Sequence, residues 1–268
     1  MKEIASPSIT QYILEKYDLF PKKKYGQNFL VDKKIIEKII SQVDLDKECA
    51  VIEVGPGIGA LTQFLSLKAG YVRSYEIDKR FQPVYQEFFK ETNVDFIFED
   101  FLKADLNDLK ILKDKYKKIV LIANLPYYIT SQIIERIVTE VEFIDEIVIM
   151  VQKEVAIKYT SEYKSPLLFI IQDRGTIDYL FTVSKNVFIP APHIDSAILK
   201  IKLNQDFDSQ LYQVLNLSFK QRRKTIYNNL KKEYPHILEV LEKYSIDPHS
   251  RCDQLELQDY KNITNLLY

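Results

Sequence analysis

The sequence predicts an α/β fold, a parallel, doubly wound sheet with helices on both faces, followed by a small all-α domain. Three observations carry this. Short apolar runs alternate with segments of helical spacing between Ala50 and Val151, a cluster of glycines follows the first of those runs, and after Asn204 only helical periodicity remains. A chain of 268 residues is long enough for one large α/β domain with an appendage. The division is placed at residues 1–204 and 205–268, with the polar stretch Asn204 to Asp208 as the hinge.

In chain order, residues 7–19 and 32–43 have helical spacing, the second through Ile35, Ile36, Ile39 and Ile40. The basic stretch Lys22-Lys23-Lys24 separates them. Ala50 to Val54 then reads as a strand, Ala60 to Lys68 as a helix, Tyr71 to Ile77 as a strand, Arg80 to Lys90 as a helix and Val94 to Phe98 as a strand, a βαβαβ series. Lys118 to Ala123 is the fourth strand and Ser131 to Thr139 a helix. The Ile144 to Val151 run is apolar almost without a break, the pattern of a strand buried on both faces. Leu167 to Gln172, Ile177 to Val183 and Ser196 to Leu203 read as further strands, the last two as an antiparallel pair at the sheet edge. The appended domain is built from helices at Leu211 to Phe219, Thr225 to Leu230, His236 to Tyr244 and Gln258 to Leu267.

Composition narrows the classes. Lys and Arg (37) nearly cancel Asp and Glu (38), so a net charge of −1 gives no general attraction to a polyanion, and any nucleic-acid surface must be local. Cys49 and Cys252 lie far apart, without zinc-site spacing or the density of a disulfide scaffold. A reducing cytoplasm is expected, with no metal. Lys2 and Glu3 interrupt the N-terminus and the apolar runs are strand-length, so neither a signal peptide nor a membrane span is expected.

Three of the six glycines, Gly55, Gly57 and Gly59, fall within five residues where Val51 to Val54 runs into a helix. That is where a nucleotide-like ligand approaches backbone at the carboxyl end of a sheet. The spacing is G-x-G-x-G, Pro56 removes one amide donor and Glu53 precedes the turn, all unfavourable to a pyrophosphate. S-adenosylmethionine has no phosphate and carries a sulfonium cation, so it tolerates the acid. Glu76 ends the second strand, placed to accept from both ribose hydroxyls, and Asp100 ends the third, placed to accept from an adenine amine.

Asn124-Leu125-Pro126-Tyr127 follows the fourth strand on the same edge. An adenine N6 lone pair is delocalised into its ring. Two acceptors, the Asn124 carboxamide oxygen and the Leu125 carbonyl, can bind the amine protons and favour a tetrahedral nitrogen. Pro126 stiffens the carbonyl and Tyr127 offers a face on which a base stacks. Phe188, in Phe188-Ile189-Pro190-Ala191-Pro192, offers a second aromatic for the opposite face of the base.

Gly26-Gln27-Asn28-Phe29-Leu30, Glu53 to Thr62, Asn124 to Tyr127, Gln152-Lys153-Glu154-Val155-Ala156, Phe188 to Ser196 and Arg222-Arg223-Lys224-Thr225-Ile226 together resemble the rRNA adenine N6,N6-dimethyltransferases. The resemblance implies a Rossmann-like methyltransferase sheet in which Asn28 and Leu30 close over S-adenosylmethionine. It implies that Gly55, Gly57, Glu76 and Asp100 bind this methyl donor, and that Asn124 touches it while orienting the target amine. It also implies dimethylation of two adjacent adenines near the 3′ end of small-subunit (16S) rRNA, within an immature subunit, by a monomer. The macrolide-resistance enzymes that methylate large-subunit rRNA share most of these blocks, and an assembly factor acting by binding is a further alternative. Leu125 and the Arg222 to Leu230 block resemble the small-subunit group. The Tyr163-Lys164-Ser165-Pro166-Leu167 segment departs from the family's pattern.

Residues 220 to 232 carry six basic side chains and no acid. Arg222, Arg223 and Lys224, with Lys22, Lys23 and Lys24, are the candidate phosphate contacts.

Overall fold

A computed structural model describes residues 3–22 and 26–268. In chain order the elements are α1 (Pro7–Lys16), β1 (Phe29–Leu30), α2 (Lys33–Ile40), β2 (Cys49–Val54), α3 (Ala60–Lys68), β3 (Tyr71–Tyr75), α4 (Gln82–Phe88), β4 (Val94–Ile97), α5 (Lys110–Lys115), β5 (Lys118–Asn124), α6 (Thr130–Glu140) and β6 (Glu146–Gln152). There follow α7 (Lys153–Tyr159), α8 (Pro166–Arg174), β7 (Gly175–Val183), β8 (Phe188–Ile189), β9 (Ser196–Leu203), α9 (Ser209–Phe219), α10 (Ile226–Leu230), α11 (Ile237–Lys243) and α12 (Leu257–Leu267). Among these described residues no helix is long and apolar enough to cross a membrane.

Seven strands form one sheet in the order β4-β3-β2-β5-β6-β9-β7. β2 pairs in parallel with β3 on one side and β5 on the other, β3 with β4, and β5 with β6, while β9 runs antiparallel to β6. This is the doubly wound sheet that the alternation predicts, and its reversal of strand order on either side of β2 opens a crevice at the strands' carboxyl ends. The centre is dry: all six residues of β2 are buried, as are the five middle residues of β5 and of β6. Burial on both faces explains why those segments read as unbroken apolar runs rather than as alternating ones. β7 is the edge neighbour of β9.

The chain divides into two compact units, residues 1–160 with 177–203, and residues 161–176 with 204–268. The second holds one correction. Leu167 to Gln172 is not a strand but the body of α8, started by the Ser165 hydroxyl accepting from the Leu168 amide at 3.3 Å, with Pro166 in the first turn. Leu168 to Ile171 are all buried, so the segment is apolar on every side and its period is hidden. Phe169 of α8, Phe219 of α9 and Tyr260 of α12 form the aromatic centre of this unit, with centroids 5.3 to 6.1 Å apart. The segment 161–176 therefore packs with the C-terminal helices, although it precedes the last two long strands in sequence. Within the expected hinge, Asp208 caps α9 through its carboxylate on the Leu211 amide at 2.9 Å.

Gly59 is the position in the turn where only glycine fits on two counts. Its φ is +89°, and an added Cβ would lie 2.6 Å from Cζ of the buried Phe89 ring. Gly59→Ala is expected to cost at least about 2 kcal/mol of unfolding free energy, read by urea denaturation, and a loss below about 0.5 kcal/mol contradicts the assignment.

Candidate cofactor and substrate site

The parallel register sets the site. Val54 is level with Tyr75 and Tyr75 with Ile97, so the chain beyond β2, β3 and β4 emerges on one edge. There the glycine turn (Gly55, φ +72°; Gly57, φ +58°) shares a cavity with Glu76 just after β3, Asp100 beyond β4 and Asn124 at the end of β5. Gly26 to Leu30 completes the cavity wall, with Leu30 buried and Asn28 half-buried. The expected residues Asn28, Leu30, Gly55, Gly57, Glu76, Asp100, Asn124, Leu125, Pro126 and Tyr127 all line this one cavity.

Glu76 is 5% exposed, with Oε2 accepting from the Gly57 amide at 3.1 Å and Oε1 from the Asp78 amide at 2.8 Å. Burial is the main cause that lifts its carboxyl to about 7, against those backbone donors, which pull the other way. Each oxygen keeps a lone pair for a ligand hydroxyl. Asp100 is half-buried and accepts from the Leu102 amide at 3.0 Å.

Glu53 has a more structural part than its place before the turn suggests. It is 1% exposed, and its Oε2 accepts from Thr62 of α3 and Ser74 of β3, both at 2.7 Å. It fastens the first helix and the next strand beneath the turn. Burial raises its carboxyl to about 7, against the two hydroxyl donors and with the Glu76 charge adding to the rise.

The cavity's charge selects its ligand. Glu53, Glu76, Glu99 and Asp100 line it, and among the described lining residues there is no Lys, Arg or His. A phosphate would meet carboxylates and no cation. A nucleoside carrying a positive charge meets acids for its hydroxyls and charge, and Ile77, Phe101 and Leu102 for its base. These residues fit S-adenosylmethionine.

At the reaction centre the Asn124 Nδ2 donates to the Asn28 carbonyl at 3.4 Å. That assignment of the amide leaves Oδ1 as an acceptor. The Leu125 side chain is 2% exposed, which anchors the box from beneath. The Pro126 carbonyl accepts from the Ile129 amide at 3.2 Å and the Thr130 hydroxyl at 3.3 Å, fixing the turn after it. The Tyr127 hydroxyl is 2.7 Å from that of the fully buried Ser196, which fixes the ring. Burial raises the Tyr127 phenol, against this hydrogen bond.

Phe188 is the exception among the expected site residues. It is 3% exposed in β8, where it pairs with Leu30 of β1 and joins the apolar core. It lies outside the residues that line the cavity and packs beside the strand that carries Leu30.

Of the basic candidates, Lys22, Arg223 and Lys224 are exposed, and Lys23 and Lys24 lie outside the described residues. Arg222 is half-buried and makes internal contacts. Its guanidinium donates to the Tyr163 hydroxyl and the Lys164 carbonyl, both at 3.1 Å, and lies over the Tyr163 and Phe219 rings at 5.2 and 5.3 Å. The unusual Tyr163-Lys164-Ser165 segment thus supplies contacts inside the second unit. Sequence reading missed Gln27, Asp78 and Arg80, which are joined in one hydrogen-bonded cluster. Gln27 lay within a recognised block, but no spacing connects it to Asp78.

The family model for ribosomal RNA adenine dimethylase matches residues 20–268. The chain is 39% identical to the ribosomal RNA small subunit methyltransferase A of Lysinibacillus sphaericus, over 100% of this chain and 98% of that protein. With the protein of the same name from Geobacillus kaustophilus it shares 38%, over 99% and 97%. Among solved structures it is similar to the 23S rRNA methyltransferase ErmE, with a TM-score of 0.66, 25% identity and coverage of 90% of this chain and 99% of that one. A dimethyladenosine transferase from Plasmodium falciparum has the same fold, with a TM-score of 0.73 at 23% identity over 88% and 95%.

Glu53 gives a pH prediction. In the folded chain its carboxyl titrates at about 7 against an ordinary 4.5, so the native state keeps a proton that the unfolded chain releases. Its contribution to stability is therefore present below pH 4.5 and is lost as pH rises towards about 7. Thermal melts of Glu53→Gln are expected to exceed those of the parent at pH 8 and to lose that advantage at pH 5. An equal loss at both pH values contradicts the buried-charge penalty.

Proposed function

The chain belongs to the ribosomal RNA adenine dimethylase family, and on that premise we propose that it dimethylates the N6 amines of two adjacent adenines near the 3′ end of small-subunit rRNA. The methyl donor is S-adenosylmethionine, the substrate is an immature small subunit, and the enzyme acts as a monomer. The observation that carries the reading is the meeting, in one cavity free of basic side chains among its described residues, of a glycine turn, acids at successive strand ends and the Asn124 amide. Full-length relatives of 36–39% identity bearing the small-subunit name favour that rRNA over the large-subunit alternative, whose representative is 25% identical.

S-adenosylmethionine supplies an activated methyl group on a sulfonium sulfur. The residues do the rest by placement. Glu76 accepts from the ribose hydroxyls, and Gly55 and Gly57 let the backbone come close. Asp100 accepts from the adenine amine of the donor. Asn124 Oδ1 and the Leu125 carbonyl accept the two N6 protons of the substrate, drawing the nitrogen lone pair out of conjugation and toward the methyl. Pro126 holds the carbonyl's direction, and Tyr127, tethered to Ser196, offers its face to the extruded base. The nitrogen becomes cationic on transfer and gives its proton to water, so no strong base is needed. After one methylation a single proton remains for the two acceptors, and the amine turns to present the lone pair again.

Asn124→Ala is expected to lower methyl incorporation by about 10²- to 10³-fold while affinity for the methyl donor stays within about five-fold. Mass spectrometry of rRNA adenines from immature small subunits reads the first quantity and calorimetry the second; unchanged incorporation removes Asn124 from the mechanism, and product on large-subunit rRNA selects the alternative.

Arg223 and Lys224 contact phosphate in this reading. Replacing both with Gln should reduce the slope of log affinity against log salt by about 2 without lowering the melting temperature. Arg222→Gln should instead lower the melting temperature through its lost internal contacts. A salt slope insensitive to the Arg223 and Lys224 pair moves the RNA surface elsewhere.

A further inference from the structure

Asp78 is 4% exposed and follows β3 by three positions. Donors reach its carboxylate from two places. Arg80 gives Nε to Oδ1 at 2.9 Å and Nη2 to Oδ2 at 2.6 Å, and Gln27 gives Nε2 to Oδ2 at 3.0 Å. Gln27 in turn accepts from the Lys22 amide at 2.8 Å, and Arg80 Nη1 reaches the Phe20 carbonyl at 3.3 Å. On the other side, the Asp78 amide donates to Glu76 Oε1 at 2.8 Å. Burial alone would push the Asp78 carboxyl up, yet Arg80 and Gln27 hold it below its ordinary range, so it is an anion with its partners in place.

This one residue therefore grips the chain that runs into Gly26–Leu30 and also the acid set for the ligand's ribose. The gripped segment is the cavity wall that carries Leu30 and Asn28, and the Asn28 carbonyl receives the Asn124 amide. β1 holds the far end of this wall to β8 by two residue pairs, continued by the Val31 amide on the Val187 carbonyl at 2.9 Å. The near end depends on the Gln27 and Arg80 contacts to Asp78.

We infer that the Gln27–Asp78 hydrogen bond is a latch that sets affinity for the methyl donor, with Gln27 and Asp78 as positioning residues that hold the Gly26–Leu30 wall in register with Glu76. The inference rests on the reading of the cavity as the S-adenosylmethionine site. A loose wall lowers affinity without altering the Asn124 acceptors, so the cofactor KM rises while kcat at saturating cofactor stays within about two-fold.

The test exchanges donor and acceptor. Gln27→Glu sets two carboxylates against each other, and adding Asp78→Asn restores an N–H···O pair of opposite sense. Calorimetric titration of the whole chain with S-adenosylhomocysteine is expected to show about ten-fold weaker binding for Gln27→Glu and recovery of most of that loss in the double variant. Hydrogen exchange at the amides of residues 26–31, measured without ligand, should rise and fall in step. Gln27→Ala, which only deletes the bond, should weaken binding in the same direction. Binding by Gln27→Glu as tight as in the unaltered chain, or a double variant no better than Gln27→Glu, overturns the latch. An unaltered chain that does not bind the probe overturns the cofactor reading itself, and the latch with it.

Discussion

The parallel pairing of β2 with both β3 and β5 is the constraint on which the site depends. Strands that run the same way end on the same edge, and a register that sets Val54 beside Tyr75 and Ile52 beside Leu121 decides which residues leave the sheet together. Slip that register by one residue and the glycine turn after Val54, Glu76 after Tyr75 and Asn124 no longer leave the sheet level with one another. Burial of β2, β5 and β6 thus locks in three dimensions what the site chemistry requires: a glycine turn, an acid and an amide at adjoining strand ends. The backbone hydrogen bonds continue the alignment past the strands, from the Gly55 amide to the Tyr75 carbonyl and from the Glu76 amide to the Ile97 carbonyl, both at 2.9 Å.

Buried acids at such an edge carry a cost. Glu53 and Glu76 are both nearly inaccessible, and burial lifts both carboxyls to about 7. The fold limits this cost differently at each. Glu53 takes two hydroxyl donors and serves the scaffold, whereas Glu76 takes two backbone donors and remains open to a ligand. With no basic side chain among the described lining residues to neutralise them, the acids suit the cavity to a cationic ligand.

Much of this was legible in the residues. Continuous apolar runs marked the central strands because both their faces are covered, and half of the glycines in five positions marked the turn because positive φ and crowding by Phe89 leave no alternative at Gly59. The acids at Glu76 and Asp100 were readable from their place after strands. What escaped was whatever depends on contact across long sequence separations. α8 concealed its period because all its middle residues are buried, so its Ser-Pro start was the better signal. Phe188 reads as an aromatic beside two prolines, and only its pairing with Leu30, distant in sequence, shows that it is buried in the core. Arg222 sits in a basic run as its neighbours do, yet the Tyr163 hydroxyl and the Lys164 carbonyl, 59 and 58 positions away, accept from its guanidinium.

The same distinction explains how two sites become one. The ligand edge of the cavity is set by strand ends, which the sequence pattern announces; the wall at Gly26–Leu30 comes from a segment that has no long strand of its own. It is placed by side-chain hydrogen bonds at Gln27 and by the short β1–β8 pairing. Its Asn28 carbonyl accepts from the Asn124 Nδ2 at 3.4 Å, an arrangement of the amide that leaves Oδ1 to the cavity. An amide flipped by half a turn would present a donor to an amine that itself brings only donors, and methyl transfer would lose its orienting contact.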